Sequence, residues 1–176
     1  EIGVRLVGSE MCIRDSLTSG IGNTAIGYQA GDAVTTSAYN TVMGYEALGA
    51  EVTGGAATAV GWKALGLQNK GDTNNTENTA VGFQSGYSNV TGTSNTYIGF
   101  QAGKGVTGVR LTGSGNTAIG NNAGLLLQGA VAECTLIGSY AGDALTTGTK
   151  NTALGANALS VATTALYNTA VGFNAM

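Results

Sequence analysis

The chain contains no histidine and no proline, only two cysteines, and charged residues at just 10% of its 176 positions. Without histidine there is no Ser-His-Asp triad, no Cys–His pair and no His-containing zinc site. Beyond residue 16 the acids are Asp32, Glu46, Glu51, Asp72, Glu77, Glu133 and Asp143, each standing alone, so no carboxylate pair for acid–base work is written into the chain. An enzyme is therefore not expected. The formal charge of −3 lacks the basic face that a nucleic-acid partner requires. No apolar run approaches the roughly 18 residues of a membrane span, so no membrane insertion is expected. The glycine-rich stretches lack the strand–loop–Lys order of a phosphate-binding loop, and no calcium-binding nonapeptide recurs, so no cofactor or metal is expected.

What the chain does have is glycine, at 30 positions, and a 43% hydrophobic content that separates it from disordered compositions. It also has a repeat. "NTAIGYQAG" begins at Asn23, and relatives begin at Asn40, Ala57, Asn78, Asn95, Asn116, Cys134, Asn151 and Asn168. The base period is 17 residues, lengthened by four at two places and by one at a third. Insertions that leave the next copy intact belong in surface loops, here within residues 66–77, 104–115 and around 125–133.

Numbering each motif from its first residue, position two is threonine in all nine copies and position five is glycine in all nine. Position four is always aliphatic or Met: Ile26, Met43, Val60, Val81, Ile98, Ile119, Ile137, Leu154 and Val171. Position six is aromatic in six copies: Tyr28, Tyr45, Trp62, Phe83, Phe100 and Phe173. Position three is alanine in six: Ala25, Ala59, Ala80, Ala118, Ala153 and Ala170. Alternation along an extended segment puts Thr, the aliphatic and the aromatic on one face, and Asn, Ala and Gly on the other. The repeated aliphatic is expected to be the buried core, each side chain contributing on the order of 1.5–3 kcal/mol. The aromatics are expected to pack with it, and coils six to eight, which lack one, to be packed differently.

One such unit cannot bury its apolar face alone, but stacked neighbours can. A second β-prone piece ("AVTT", "EVTG", "NVTG") suggests two short strands per coil. Recurrent glycine and β-branched residues disfavour helices. The expected fold is all-β: a parallel β-solenoid, or β-roll, of about nine 17-residue coils. The Asn column at position one is expected to form a coil-to-coil amide ladder broken at Ala57 and Cys134. The position-five glycine fits either a positive-φ bend or a close backbone approach.

"NTAIGYQAG" and "NTAVGFQSGYSNVTGTSNTYIGFQAG" resemble the head repeats of trimeric autotransporter adhesins. They are closer still to arrays in phage and environmental bacterial tail-fibre-domain proteins. The resemblance covers residues 17–176. It implies a left-handed coil, a homotrimer, and an extracellular place on a virion tail fibre or a bacterial surface. It also implies a structural role that extends the fibre and presents loops to a glycan or protein receptor during host attachment. This 17-residue coil is longer than the adhesin repeat. A C-terminal chaperone domain often follows such arrays, and because the sequence stops inside the ninth motif the array is expected to continue. The small position-three face is the expected trimer contact, and Lys70, Lys104 and Arg110 in the inserted loops are the expected receptor contacts. An ice-binding or surface-matrix solenoid acting as a monomer is the alternative, disfavoured because the threonines are expected to point inward.

Residues 1–16, "EIGVRLVGSEMCIRDS", match none of the nine motifs. "RLVGSEMCIRDS" resembles the translation of a sequencing adapter joined to a metagenomic fragment, so this segment is read as non-native. Excluding it leaves five basic and seven acidic residues, a charge of −2, and Cys134 as the one native cysteine.

Overall fold

The computed structural model describes residues 19–176, and the reading of residues 1–16 lies outside them. Nine three-residue strands follow one another at the motif period. They are β1 (Thr24–Ile26), β2 (Thr41–Met43), β3 (Thr58–Val60), β4 (Thr79–Val81), β5 (Thr96–Ile98), β6 (Thr117–Ile119), β7 (Thr135–Ile137), β8 (Thr152–Leu154) and β9 (Thr169–Val171). All pair in parallel, in sequence order, with threonine opposite threonine at every step. The longer spacings between β3 and β4 and between β5 and β6 leave this register unchanged. The extra residues loop outward instead, with residues 71–75 and 107–110 exposed. The chain is a β-solenoid of about nine turns.

The expected second strand is absent among the described residues. Residues after the motif still exchange coil-to-coil bonds, such as Thr35 N–H to the Val52 carbonyl at 3.2 Å, but only the isolated bridges Asn89–Leu111 and Leu111–Gly129 form. The turns that bend the coil account for this. In every motif the residue before position one and those at positions seven and nine have φ between about +48° and +72°. Most are not glycine, as at Gln29, Tyr39 and Leu48. Left-handed backbone at that density closes a coil without proline, and it interrupts any longer strand.

The largest correction concerns which face is inside. Position three is the core: Val42, Ala59, Ala80, Tyr97, Ala118, Leu136, Ala153 and Ala170 are buried. None of the position-four residues Ile26, Met43, Val60, Val81, Ile98, Ile119, Ile137, Leu154 and Val171 is buried. Five are exposed, from Val81 at 36% to Val171 at 64%. The alternation holds, but its sign is the reverse of the one expected. A 17-residue coil encloses a narrow interior, and alanine at positions three and eight is what fits there. Nine aliphatics plus a row of aromatics would overfill it. Leu48, Leu65, Leu111, Leu127, Leu145 and Leu159 complete the core from the turns. Since the aromatics also lie outside, their absence from coils six to eight does not thin the interior, where Leu127, Leu136 and Leu145 pack.

The Asn column explains why that face turns inward. Asn40, Asn78, Asn95, Asn116 and Asn151 are buried, and each side-chain oxygen accepts the backbone N–H of the next position-one residue where one is offered. The bonds are Asn40 to Ala57 at 2.9 Å, Asn78 to Asn95 at 2.8 Å, Asn95 to Asn116 at 2.8 Å and Asn116 to Cys134 at 3.1 Å. The ladder is thus mainly amide to backbone, with direct amide–amide rungs at Asn23–Asn40 and Asn151–Asn168. Removing Asn116 leaves the Cys134 N–H and the Val131 carbonyl without their partners. Asn116→Ala is expected to cost about 1–3 kcal/mol, read as a lower urea midpoint.

The interior of coils two to four is partly polar, which the repeat pattern does not announce. Glu51 is fully buried, and its carboxylate accepts the Gly54 N–H at 2.8 Å and the Gln68 side-chain amide at 3.1 Å. Gln68 in turn accepts from Asn78 at 2.7 Å. Position twelve carries the signal: Glu51, Gln68 and Asn89 there stand where later coils have Leu127 and Leu145.

Candidate functional site

The inverted face puts three rows on the outside of the sheet. Thr at position two is exposed or half-buried throughout, the aliphatic row runs beside it, and the aromatic column follows beyond the glycine. Five rings stack along the axis: Tyr28–Tyr45 at 5.2 Å, Tyr45–Trp62 at 6.3 Å, Trp62–Phe83 at 4.6 Å and Phe83–Phe100 at 5.2 Å between centroids. Interplanar angles of 10–16° make this a near-parallel ladder. The expectation that these aromatics are core is overturned. The in-register parallel stacking of identical positions produces the ladder, and it leaves ring edges outward. The expected small trimer-contact face at position three is likewise overturned, because Ala59, Ala80, Ala118, Ala153 and Ala170 lie inside.

Beside the ladder, Lys63 bridges Glu46 at 3.0 Å and lies 4.8 Å from the Trp62 ring centre. The Tyr45 hydroxyl and the Lys63 ammonium hold the Glu46 carboxyl below its ordinary range, and Glu46 in turn raises Lys63. Gln84 and Gln101 continue the row with an amide–amide bond of 3.0 Å.

A shallow depression of about 250 Å³ opens next to this row, lined by Gln29, Asp32, Glu46, Gly49, Ala50, Lys63, Gly66, Leu67 and Tyr87. The three loop cations do not make a common site. Lys70 pairs with Asp72 in its own loop at 3.2 Å, and Lys104 is half-buried. Arg110 is exposed at the edge of a smaller hollow with Leu67, Ser88 and Val90. The depression escapes a reading of the sequence because its signal is a missing side chain, at Gly49 and Gly66.

Cys134 is buried, with its Sγ 3.6 Å from the Ala132 and Gly148 carbonyl oxygens. Burial pushes its thiol above the ordinary range, so little thiolate is present at neutral pH. In a Cys12→Ser background, Cys134 is expected to resist maleimide labelling until denaturant opens the coil, read by mass spectrometry. Among the described residues no cluster of three or more His, Cys, Asp or Glu side chains could hold a metal ion, and no helix is long and apolar enough to cross a membrane.

The fold defines a class: a parallel β-solenoid with an outward face of threonine, aliphatic and aromatic rows. Compared with known protein families, curated proteins and solved structures, the chain matches none.

Proposed function

We propose that this chain is a structural repeat segment of a homotrimeric extracellular fibre, of the tail-fibre or surface-adhesin kind, with no catalytic role. The observation that carries the reading is the outward apolar face. Nine strands about 4.8 Å apart, turning positions two, four and six outward, span a sheet face of roughly 600 Å² made of threonine, aliphatic and aromatic rows. That lies at the upper limit of what a monomer ordinarily exposes and near the ~800 Å² per partner of a standard interface. A covering partner must match rows that recur at every coil, and a second copy of this chain has that repeat by construction. The interface is therefore assigned to the aliphatic and aromatic columns in place of the alanine column. The solenoid's role is to extend the fibre and hold its loops at a fixed spacing toward a host-surface receptor.

A second reading is favoured by one finding. The threonines, expected to point inward, stand on the outside next to the aliphatic row, one per coil and in register. Such a face on a monomer would order water, as an ice-binding or surface-matrix solenoid does.

Light scattering after size exclusion separates the two. A trimer that dissociates in Val81→Asp and Ile98→Asp variants supports the fibre. A clean monomer overturns it, and thermal hysteresis in that monomer establishes the second reading.

A further inference from the structure

Position ten, the tenth residue of each repeat, carries Asp32, Gly49, Gly66, Tyr87, Lys104, Leu125, Asp143 and Ser160 in successive coils. Coils two and three alone lack a side chain there. Neither Gly49 nor Gly66 has the positive φ seen at the position-five glycines, so backbone conformation does not require them. A Cβ on Gly49 would come no closer than 3.3 Å, to the Glu46 carbonyl oxygen. On Gly66 it would meet the Tyr87 ring edge at 3.0 Å. What the two glycines supply is space, and that space is the depression described above.

Its surroundings are mixed in a particular way. The edge of the Tyr87 ring borders Gly66, and Leu67 and Ala50 add apolar surface. Around them stand the Gln29 amide, the Asp32 and Glu46 carboxylates and the Lys63 ammonium. The 3.0 Å Lys63–Glu46 bridge fixes two of these groups before any ligand arrives. An apolar ligand would strip water from that polar rim with nothing in exchange, and two carboxylates against one ammonium repel a phosphate, sulfate or sialate. An uncharged pyranose fits the set: its hydroxyls both donate and accept, and its C–H face packs on an aromatic ring. The volume is below the ~300–1,000 Å³ of drug-sized pockets, which suits one ring unit. The exposed aromatic ladder is the weaker sugar platform, because its inner ring faces are already covered by one another.

We propose that the notch over Gly49 and Gly66, edged by Tyr87, Glu46 and Lys63, is a subsite for a single uncharged pyranose. The sugar as receptor rests on the fibre reading, whereas the subsite itself does not. None of the lining residues belongs to a strand or to the aromatic column, although Lys63 lies 4.8 Å from the Trp62 ring centre at that column's edge. One shallow site binds weakly, and three copies on a fibre raise the avidity.

The test is saturation-transfer-difference NMR on the full chain with methyl glycosides of glucose, galactose, mannose and their 2-acetamido forms, and with a sialoside and a sulfated sugar as charged probes. Transfer to at least one uncharged glycoside, with millimolar affinity, is expected. Gly49→Leu, which fills the notch, and Glu46→Gln, which keeps its shape, should each weaken binding about tenfold or more with the circular dichroism spectrum unchanged. No transfer to any uncharged glycoside, preference for a charged probe, or undiminished binding by a folded Glu46→Gln variant would overturn the subsite. Light scattering on the same sample keeps the readings apart. A trimer that binds no sugar removes only the subsite, and a monomer that binds sugar removes only the fibre.

Discussion

Gly44→Ala is expected to be among the most damaging single substitutions in this chain. Its φ is +131°, a region that L residues rarely enter, and an added Cβ would stand 2.5 Å from the Gly61 carbonyl oxygen and 2.7 Å from its carbon. Backbone strain of about 1–3 kcal/mol and overpacking of similar size act together. The sum, about 2–6 kcal/mol, is a large part of a typical domain's stability. A control exists within the same column. Gly172 has φ +124°, and a methyl group added there would meet nothing within 4 Å, so Gly172→Ala isolates the conformational cost from the contact. Both readings of the repeated glycine therefore hold at once, and the difference between the two variants measures the close approach. Because each coil touches only its neighbours, the damage should stay local. Hydrogen exchange should rise first in residues 41–45 and 58–62.

Tyr97→Ala carries the second large effect. Tyr97 is the largest fully buried side chain and occupies position three, where six other coils have alanine. Room for it comes from glycine at position nine of its own coil and the coil before: a Cβ on Gly103 would overlap the Tyr97 ring, and one on Gly86 would come within 2.5 Å of it. Emptying that space should cost about 3–5 kcal/mol, read as a fall in the urea midpoint. The compensation predicts more than a loss. Gly103→Ala should cost more in the native chain than in the Tyr97→Ala background, and a double-mutant cycle should return a coupling of about 1–3 kcal/mol. An additive cycle would show that the glycine and the ring do not share one volume.

The same pair shows what could be read from residues in a row and what could not. The 17-residue period, the nine coils, the threonine register and the position of the insertions follow from internal repetition. So does the Asn ladder, since a polar side chain repeated at one coil position has a neighbour of its own kind above and below. The left-handed turns were not legible, because Gln29, Tyr39 and Leu48 adopt positive φ without being glycine. The notch over Gly49 and Gly66 was hidden in the same way. Two glycines among 30 stand out only when the fold places them side by side at the depression, with no positive φ to require them.

The repeat, its parallel in-register stacking, and the grouping of side chains on shared faces are all legible in the order of the residues. The tertiary structure decided which face is the interior. Period-two alternation is symmetric under exchange of inside and outside, so it cannot say whether Ile98 or Tyr97 is buried. That choice is made by the cross-section of a 17-residue coil, which holds alanine rows and bonded asparagines. Once those fill the coil, the aliphatic and aromatic rows are left outside, where they form the surface on which the proposed assembly rests.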